Sequence, residues 1–189
     1  MAIQRLTIDG FGQVELNNAA FRRDGRIEAQ CAPDTTTFSS KMVENGMLLA
    51  VDIVNHEVTF ATDSSLPIGL VYSAEHLYDE AHYGLKDFAL YGDGREAFLP
   101  RLGYLAVGDK WTTNCVEYDS AEFATLSAFE SALDAVASTA LYATCGSNGC
   151  PVISSSLPSD NPTPIVLRVV KKTTMPDGTL GIQFQVYAC

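Results

Sequence analysis

Residues 44–72, ENGMLLAVDIVNHEVTFATDSSLPIGLVY, constrain this chain more than any other stretch. They read as three consecutive strands. Residues 47–51 form an apolar run opened by the turn pair Asn45-Gly46. Residues 57–61 alternate, with Val58 and Phe60 facing one way and Glu57 and Thr59 the other. Residues 67–72 are apolar again, with Gly69 at the middle. The joints at 52–56 and 63–65 are rich in turn formers. A short meander of this kind cannot bury its own faces, so the rest of the chain must cover it.

The remaining segments supply mostly strands. Residues 3–16 alternate loosely through Ile3, Leu6, Ile8, Phe11, Val14 and Leu16, with Asp9-Gly10 as a turn, which suits a hairpin or an extended arm. Residues 17–40 are mixed and hold the one basic cluster, Arg22-Arg23-Asp24-Gly25-Arg26. Residues 1–40 are therefore expected to be an N-terminal arm or extension, and residues 41–189 the domain proper. Residues 73–84 read as a polar, aromatic surface loop, and 85–91 and 99–107 as strands. Gly108-Asp109 is a tight turn that predicts a hairpin returning over 110–116, with the single Trp111.

Ser120 is the expected N-cap of a helix over 120–138, because Phe123, Leu126, Phe129, Leu133 and Val136 recur at steps of three and four. This helix is the expected cover of the sheet. Residues 141–144 are a short strand, 145–150 a turn, and 154–164 a loop with three prolines. Residues 165–171 and 180–187 form a hairpin through Met175-Pro176-Asp177-Gly178, where proline presets φ and glycine takes the positive value. The expected fold is mainly β (α+β): a small β-barrel or sandwich with one packed α-helix and a C-terminal β-hairpin.

Composition narrows the function classes. The chain has 189 residues, enough for one domain, and 47% hydrophobic with 19% charged residues is a globular balance. A net charge of −11 argues against nucleic acid and against an anionic membrane surface. It suits a soluble protein, or one that meets a basic partner. No apolar run reaches the roughly 18–20 residues of a membrane span. The start, MAIQRLTIDGFGQVEL, lacks a basic stretch followed by an apolar one, so no signal peptide is expected and the chain is expected to be made in a cytoplasm.

Candidate chemistry is sparse. His76 and His82 flank Glu75, Asp79 and Glu80, which could be a carboxylate–histidine metal site or a polar loop; the spacing matches no metal motif, and the polar loop is preferred. His56 falls in a turn and is expected to be solvated. The five cysteines, Cys31, Cys115, Cys145, Cys150 and Cys189, have no regular spacing, and free thiols are the default. Cys145 and Cys150 could ligate zinc, but a second ligand pair is missing; two free thiols at a turn come first and a disulfide second. No serine sits in Gly-x-Ser-x-Gly, and Gly92-Asp93-Gly94 belongs to no phosphate-binding pattern. Asp79 and Glu80 could act as paired carboxylates, but adjacent acids are common in a chain with 23 of them. Tyr72, Tyr78, Tyr83, Tyr91, Tyr104 and Trp111 are either core or contact surface, and the 78–83 loop is the favoured contact region. The expectation is no enzyme, no catalytic or metal residues and no cofactor.

Four segments carry a resemblance: Glu44-Asn45-Gly46-Met47-Leu48-Leu49, Pro67-Ile68-Gly69-Leu70-Val71-Tyr72, Gly103-Tyr104-Leu105-Ala106-Val107-Gly108-Asp109, and Met175-Pro176-Asp177-Gly178-Thr179-Leu180-Gly181-Ile182-Gln183-Phe184. Over residues 42–118 and 163–187 the chain resembles small structural proteins encoded in the head-gene region of tailed bacteriophages, of the capsid-decoration type. The resemblance implies a virion protein on the capsid surface, bound to the major capsid protein as a homo-oligomer such as a trimer. It brings no catalytic residues. Two other classes remain open: a tail or neck structural protein of the same virion, and a hydrolase using the loop between His76 and His82.

Overall fold

The computed structural model describes residues 2–15, 19–20, 29–61, 66–73, 89–91, 99–158 and 165–188. The fold is mainly β, with a single α-helix among the described residues. Among the described residues its first sheet has seven strands. In order across the sheet they are β1 (Ile3–Arg5), β11 (Glu117–Asp119), β13 (Pro151–Ser154), β12 (Tyr142–Cys145), β14 (Val166–Thr174), β15 (Leu180–Ala188) and β10 (Lys110–Thr113). The second has six: β2 (Ala29–Gln30), β9 (Arg101–Tyr104), β7 (Ile68–Val71), β5 (Leu48–Asp52), β6 (Glu57–Phe60) and β3 (Ala32–Pro33). A small ladder joins β4 (Met42–Glu44) to β8 (Ala89–Tyr91).

The first sheet has to curl. Strands β10 and β11 lie at its far side and near its start in the strand order, yet only residues 114–116 join them. So short a joint brings the two ends of the sheet together, which is how a sheet rolls toward a barrel. The N-terminal segment laces the gap. Strand β1 pairs with β11, Leu6 donates its N–H to the Val116 carbonyl at 2.9 Å, and Val14 then bridges to Thr113 on β10. Residues 3–14 thus form no hairpin with themselves. Instead they cover backbone edges that would otherwise invite pairing with another chain.

Strand β5 is the middle of the second sheet and is buried on both faces. Leu48 and Ala50 join one apolar core, and Leu49 and Val51 the other. This alternation explains why its apolar run is continuous: each face of the strand meets a separate core. The expected meander order is corrected here. Strand β7 pairs with β5, Leu48 opposite Leu70, and does not follow β6. The fully apolar strand takes the centre, and β6, with Glu57 and Thr59 half-exposed, takes the flank. The first core lies between the two sheets, with Trp111, Phe184, Ile153 and Leu167 opposite Leu48 and Leu70. The second lies on the far face of the second sheet, closed by Phe38, Cys31, Val43 and Met47.

Two further expectations change. Strands β9 and β10 do not form a hairpin. Strand β9 pairs with β7, while β10 pairs with β15, Trp111 opposite Phe184. The turn at Gly108 (φ 97°) moves the chain between sheets, held by buried Asp109, whose carboxylate accepts the Ala106 N–H at 2.8 Å. The helix, α1 (Leu126–Asp134), starts at Thr125, not Ser120. Thr125 Oγ1 accepts the Ala128 N–H at 3.1 Å, while Ser120 donates its hydroxyl to the Ala2 carbonyl. Residues 119–123 are a turn, because Asp119 accepts the Ala121 N–H and Phe123 folds down against Tyr118 and Phe129. Helix α1 does cover the core, as expected, through Phe129 and Leu133. The C-terminal hairpin forms with Gly178 at φ 86°.

Described residues of 1–40 supply β1, β2 and β3, and Leu6, Val14, Cys31 and Phe38 are core side chains. The strand expected over 85–91 is described only at Ala89–Tyr91.

Candidate functional site

A dense polar cluster lies where the curled sheet closes, beside residues 114–116. The sequence builds it from turns. Asn45-Gly46 opens β5, and Gly46 (φ 91°) approaches so closely that an added Cβ would sit 2.3 Å from Thr113 Oγ1 and 2.8 Å from Cys115 Cβ. Only glycine fits such a backbone. Asn45 and Ser73 exchange hydrogen bonds: Asn45 Nδ2 donates to the Ser73 carbonyl at 3.1 Å, and the Ser73 N–H donates to Asn45 Oδ1 at 2.7 Å. Just before them, buried Glu44 receives the Arg5 guanidinium in a two-pronged pair and accepts the Gly12 N–H at 2.6 Å.

The network continues along β10. The Gln13 N–H donates to Asn114 Oδ1 at 2.6 Å, and Thr113 Oγ1 donates to the Gln13 carbonyl at 2.6 Å. Gln13 Nε2 reaches Asp177 at 2.7 Å, and Asn114 Nδ2 reaches Thr179 at 3.2 Å, which ties the seam to the C-terminal turn. Behind the polar layer stand two thiols. Cys115 Sγ and Cys150 Sγ are 3.1 Å apart, and both side chains are buried in the second core. Glu117, also buried, accepts Asn148 Nδ2 at 3.1 Å through one oxygen, while its other oxygen has no hydrogen-bond partner among the described residues.

The electrostatics hold this cluster closed. The Glu44 hydrogen bonds raise the Arg5 pKa above its ordinary value against the opposing effect of burial, so the cation is firmly kept. The Cys150 contact and burial push the Cys115 thiol well up. Burial pushes Cys145 up to about 12, and Cys31 also upward. A nucleophilic cysteine needs its pKa lowered toward neutrality, so these three are not poised for attack. Gly12 packs so closely here that an added Cβ would sit 2.6 Å from both the Asn45 carbonyl oxygen and Cys115 Cβ. The arrangement ties the N-terminal segment to the joint of the curled sheet.

The predicted site residues fall elsewhere. His56 is exposed at the β5–β6 tip with φ 57°, and its carbonyl accepts the Ala32 N–H at 2.9 Å. His76, His82, Glu75, Asp79, Glu80, Tyr78 and Tyr83 lie outside the described residues, as does Cys189. Among the described residues no group of three or more His, Cys, Asp or Glu side chains could hold a metal ion. Trp111 is core, 6.0 Å from Phe184 between ring centres. The Cys145–Cys150 disulfide considered from sequence does not form. Cys145 packs against the first core and Cys150 lies in the second, on opposite sides of the β12–β13 hairpin. Sequence reasoning missed the Arg5–Glu44 and Cys115–Cys150 pairs. Their partners are 39 and 35 residues apart, with no periodicity to mark them.

The surface offers a different feature. At the β5–β6 tip, Ile53 is 55% and Val54 88% exposed. The turn beneath them is fixed by Asp52, which accepts the N–H groups of Val54 and Asn55 at 2.9 and 3.0 Å and the Asn55 side chain at 2.8 Å. No helix among the described residues is long and apolar enough to cross a membrane.

No protein-family model, curated protein or solved structure matches this chain.

Proposed function

We propose that this protein is a virion structural component that decorates or cements the capsid of a tailed phage by binding the major capsid protein. The observation that carries the reading is the Ile53-Val54 tip, an exposed apolar pair on a turn already fixed by Asp52. Such a pair can bury area on a partner at little cost in ordering. The resemblance over residues 42–118 and 163–187 supports the same reading. Its segments form the opening of β5, strand β7, the end of β9 and the β14–β15 turn. A net charge of −11 suits a basic patch on the receiving lattice. Binding only the assembled shell would stabilise that state by linkage, which is how a cement protein acts. The protein works as a small homo-oligomer, without catalytic residues or cofactor.

The test is co-sedimentation with expanded capsids that lack the protein, followed by electron microscopy. Density at regular lattice positions, with a rise in shell melting temperature, is the expected result. Replacing both tip residues, Ile53→Ser with Val54→Ser, should weaken binding by roughly tenfold or more, since two apolar side chains lose their buried contact. Absence of binding, with rings or tubes in solution, would move the assignment to the tail or neck of the virion.

A further inference from the structure

Two buried thiols stand side by side at the point where the curled sheet closes. Cys115 lies in the 114–116 joint between β10 and β11, and Cys150 lies at the end of the β12–β13 turn. Their sulfurs are 3.1 Å apart, and the two residues are 0% and 1% exposed. The turn is anchored nearby: the Leu48 N–H donates to the Gly149 carbonyl at 2.7 Å, the Gly146 N–H donates to the Cys150 carbonyl at 2.9 Å, and the Gly149 N–H donates to the Gly146 carbonyl at 3.0 Å. Of the other two described cysteines, Cys145 packs against the opposite core, and Cys31 shares the second core from the joint between β2 and β3, so it is the competitor that peptide mapping must separate.

We infer that Cys115 and Cys150 are an oxidation site, whose product is a disulfide that clasps the joint of the curled sheet to the β12–β13 turn. Closing the bond needs an approach of roughly 1 Å from the present separation, since a disulfide S–S length is about 2.05 Å. The co-reactant is a small-molecule disulfide such as oxidised glutathione. In the folding chain, or when the seam opens and Cys115 is uncovered, its thiolate attacks one glutathione sulfur and releases the first glutathione thiolate, which takes the proton lost from Cys115. The Cys150 thiolate then attacks the Cys115 sulfur of the mixed disulfide, and the second glutathione leaves and is protonated. One glutathione disulfide is reduced to two thiols, and two protein thiols become one disulfide.

The native burial sets the timing. A closed, fully covered Cys115 meets oxidant slowly, so the bond forms while the chain folds or when the seam opens, and the same cover then shields it from reductants. The bond encloses residues 115–150, the segment that carries β11, α1 and β12. It links the chain's redox history to its stability whatever the protein binds.

The full-length protein is unfolded in urea and refolded in a glutathione redox buffer, and in parallel incubated folded with oxidised glutathione at mildly alkaline pH. Thiols are then titrated in denaturant, and digested peptides are mapped without reduction. The expected result is a fall from five thiols to three, a single cross-linked peptide pair joining Cys115 to Cys150, and a melting temperature higher by about 10 °C that reductant reverses. Five free thiols under both regimes, or a link between any other two cysteines, overturns the inference. Oxidation of the wild-type chain is read directly, so the result does not depend on whether a Cys115→Ser or Cys150→Ser variant folds.

Discussion

At the scale of single residues, backbone geometry and clearance decide more than residue type. Gly46 and Gly178 are both turn glycines with positive φ, at 91° and 86°. They look alike in sequence, as Asn45-Gly46 and Asp177-Gly178. Their surroundings differ completely: an alanine Cβ at Gly46 meets Thr113 and Cys115 below 3.0 Å, and at Gly178 it meets nothing within 4 Å. Gly178→Ala should cost only the left-handed backbone penalty, about 1–2 kcal/mol. Gly46→Ala should cost that plus an overpacking cost, about 2–5 kcal/mol in all. Urea unfolding of both variants checks this, and equal losses would mean the Thr113 contact yields freely. Glu44 makes the same point for charge. Its carboxylate was legible in sequence only as the residue before a turn, yet it is buried and receives Arg5 from 39 residues away.

At the scale of elements, pattern located the strands and the helix well but placed their ends and partners less well. The apolar period found α1, and Phe129 and Leu133 are its buried residues. The start was misplaced by five residues because both Ser120 and Thr125 are good caps and the choice depends on Phe123 being drawn into the core. Thr125→Ala should therefore destabilise the protein by about 1 kcal/mol, in the range of a lost N-cap, with the loss seen in α1 amide exchange. Ser120→Ala should leave α1 exchange unchanged, since its hydroxyl serves Ala2. The hairpin expected over 99–116 failed for a similar reason. A Gly-Asp turn permits a hairpin, but here Trp111 gains full burial against Phe184 by crossing to the other sheet.

At the scale of the whole molecule, closure depends on the N-terminal segment. Strand β1, Leu6 and Val14 lie along both edges of the seam, and Leu6 and Val14 are each 3% exposed. Deleting residues 1–15 removes those side chains, the Arg5–Glu44 pair and the cover of two strand edges. The loss should be about 5 kcal/mol or more, from two buried aliphatic residues and a charge left unpaired. Thermal unfolding followed by circular dichroism should show a midpoint lower by more than about 10 °C, or no cooperative transition. An unchanged midpoint would show that the segment lies on a barrel already closed without it.

The mainly-β class, the C-terminal hairpin, helix α1 and the core character of residues 47–51 were determined by sequence alone. Each rests on local physics: a side-chain period, a turn that needs glycine, or a run too apolar to face water. Strand order, the switch of chain between sheets, the lacing of the seam by residues 3–14 and the meeting of Cys115 with Cys150 were decided only by tertiary structure. These pair residues far apart in the chain, and no local preference distinguishes one distant partner from another. The choice falls to whichever arrangement buries Trp111, both faces of β5 and the Glu44 carboxylate at once, and that condition exists only in the assembled fold.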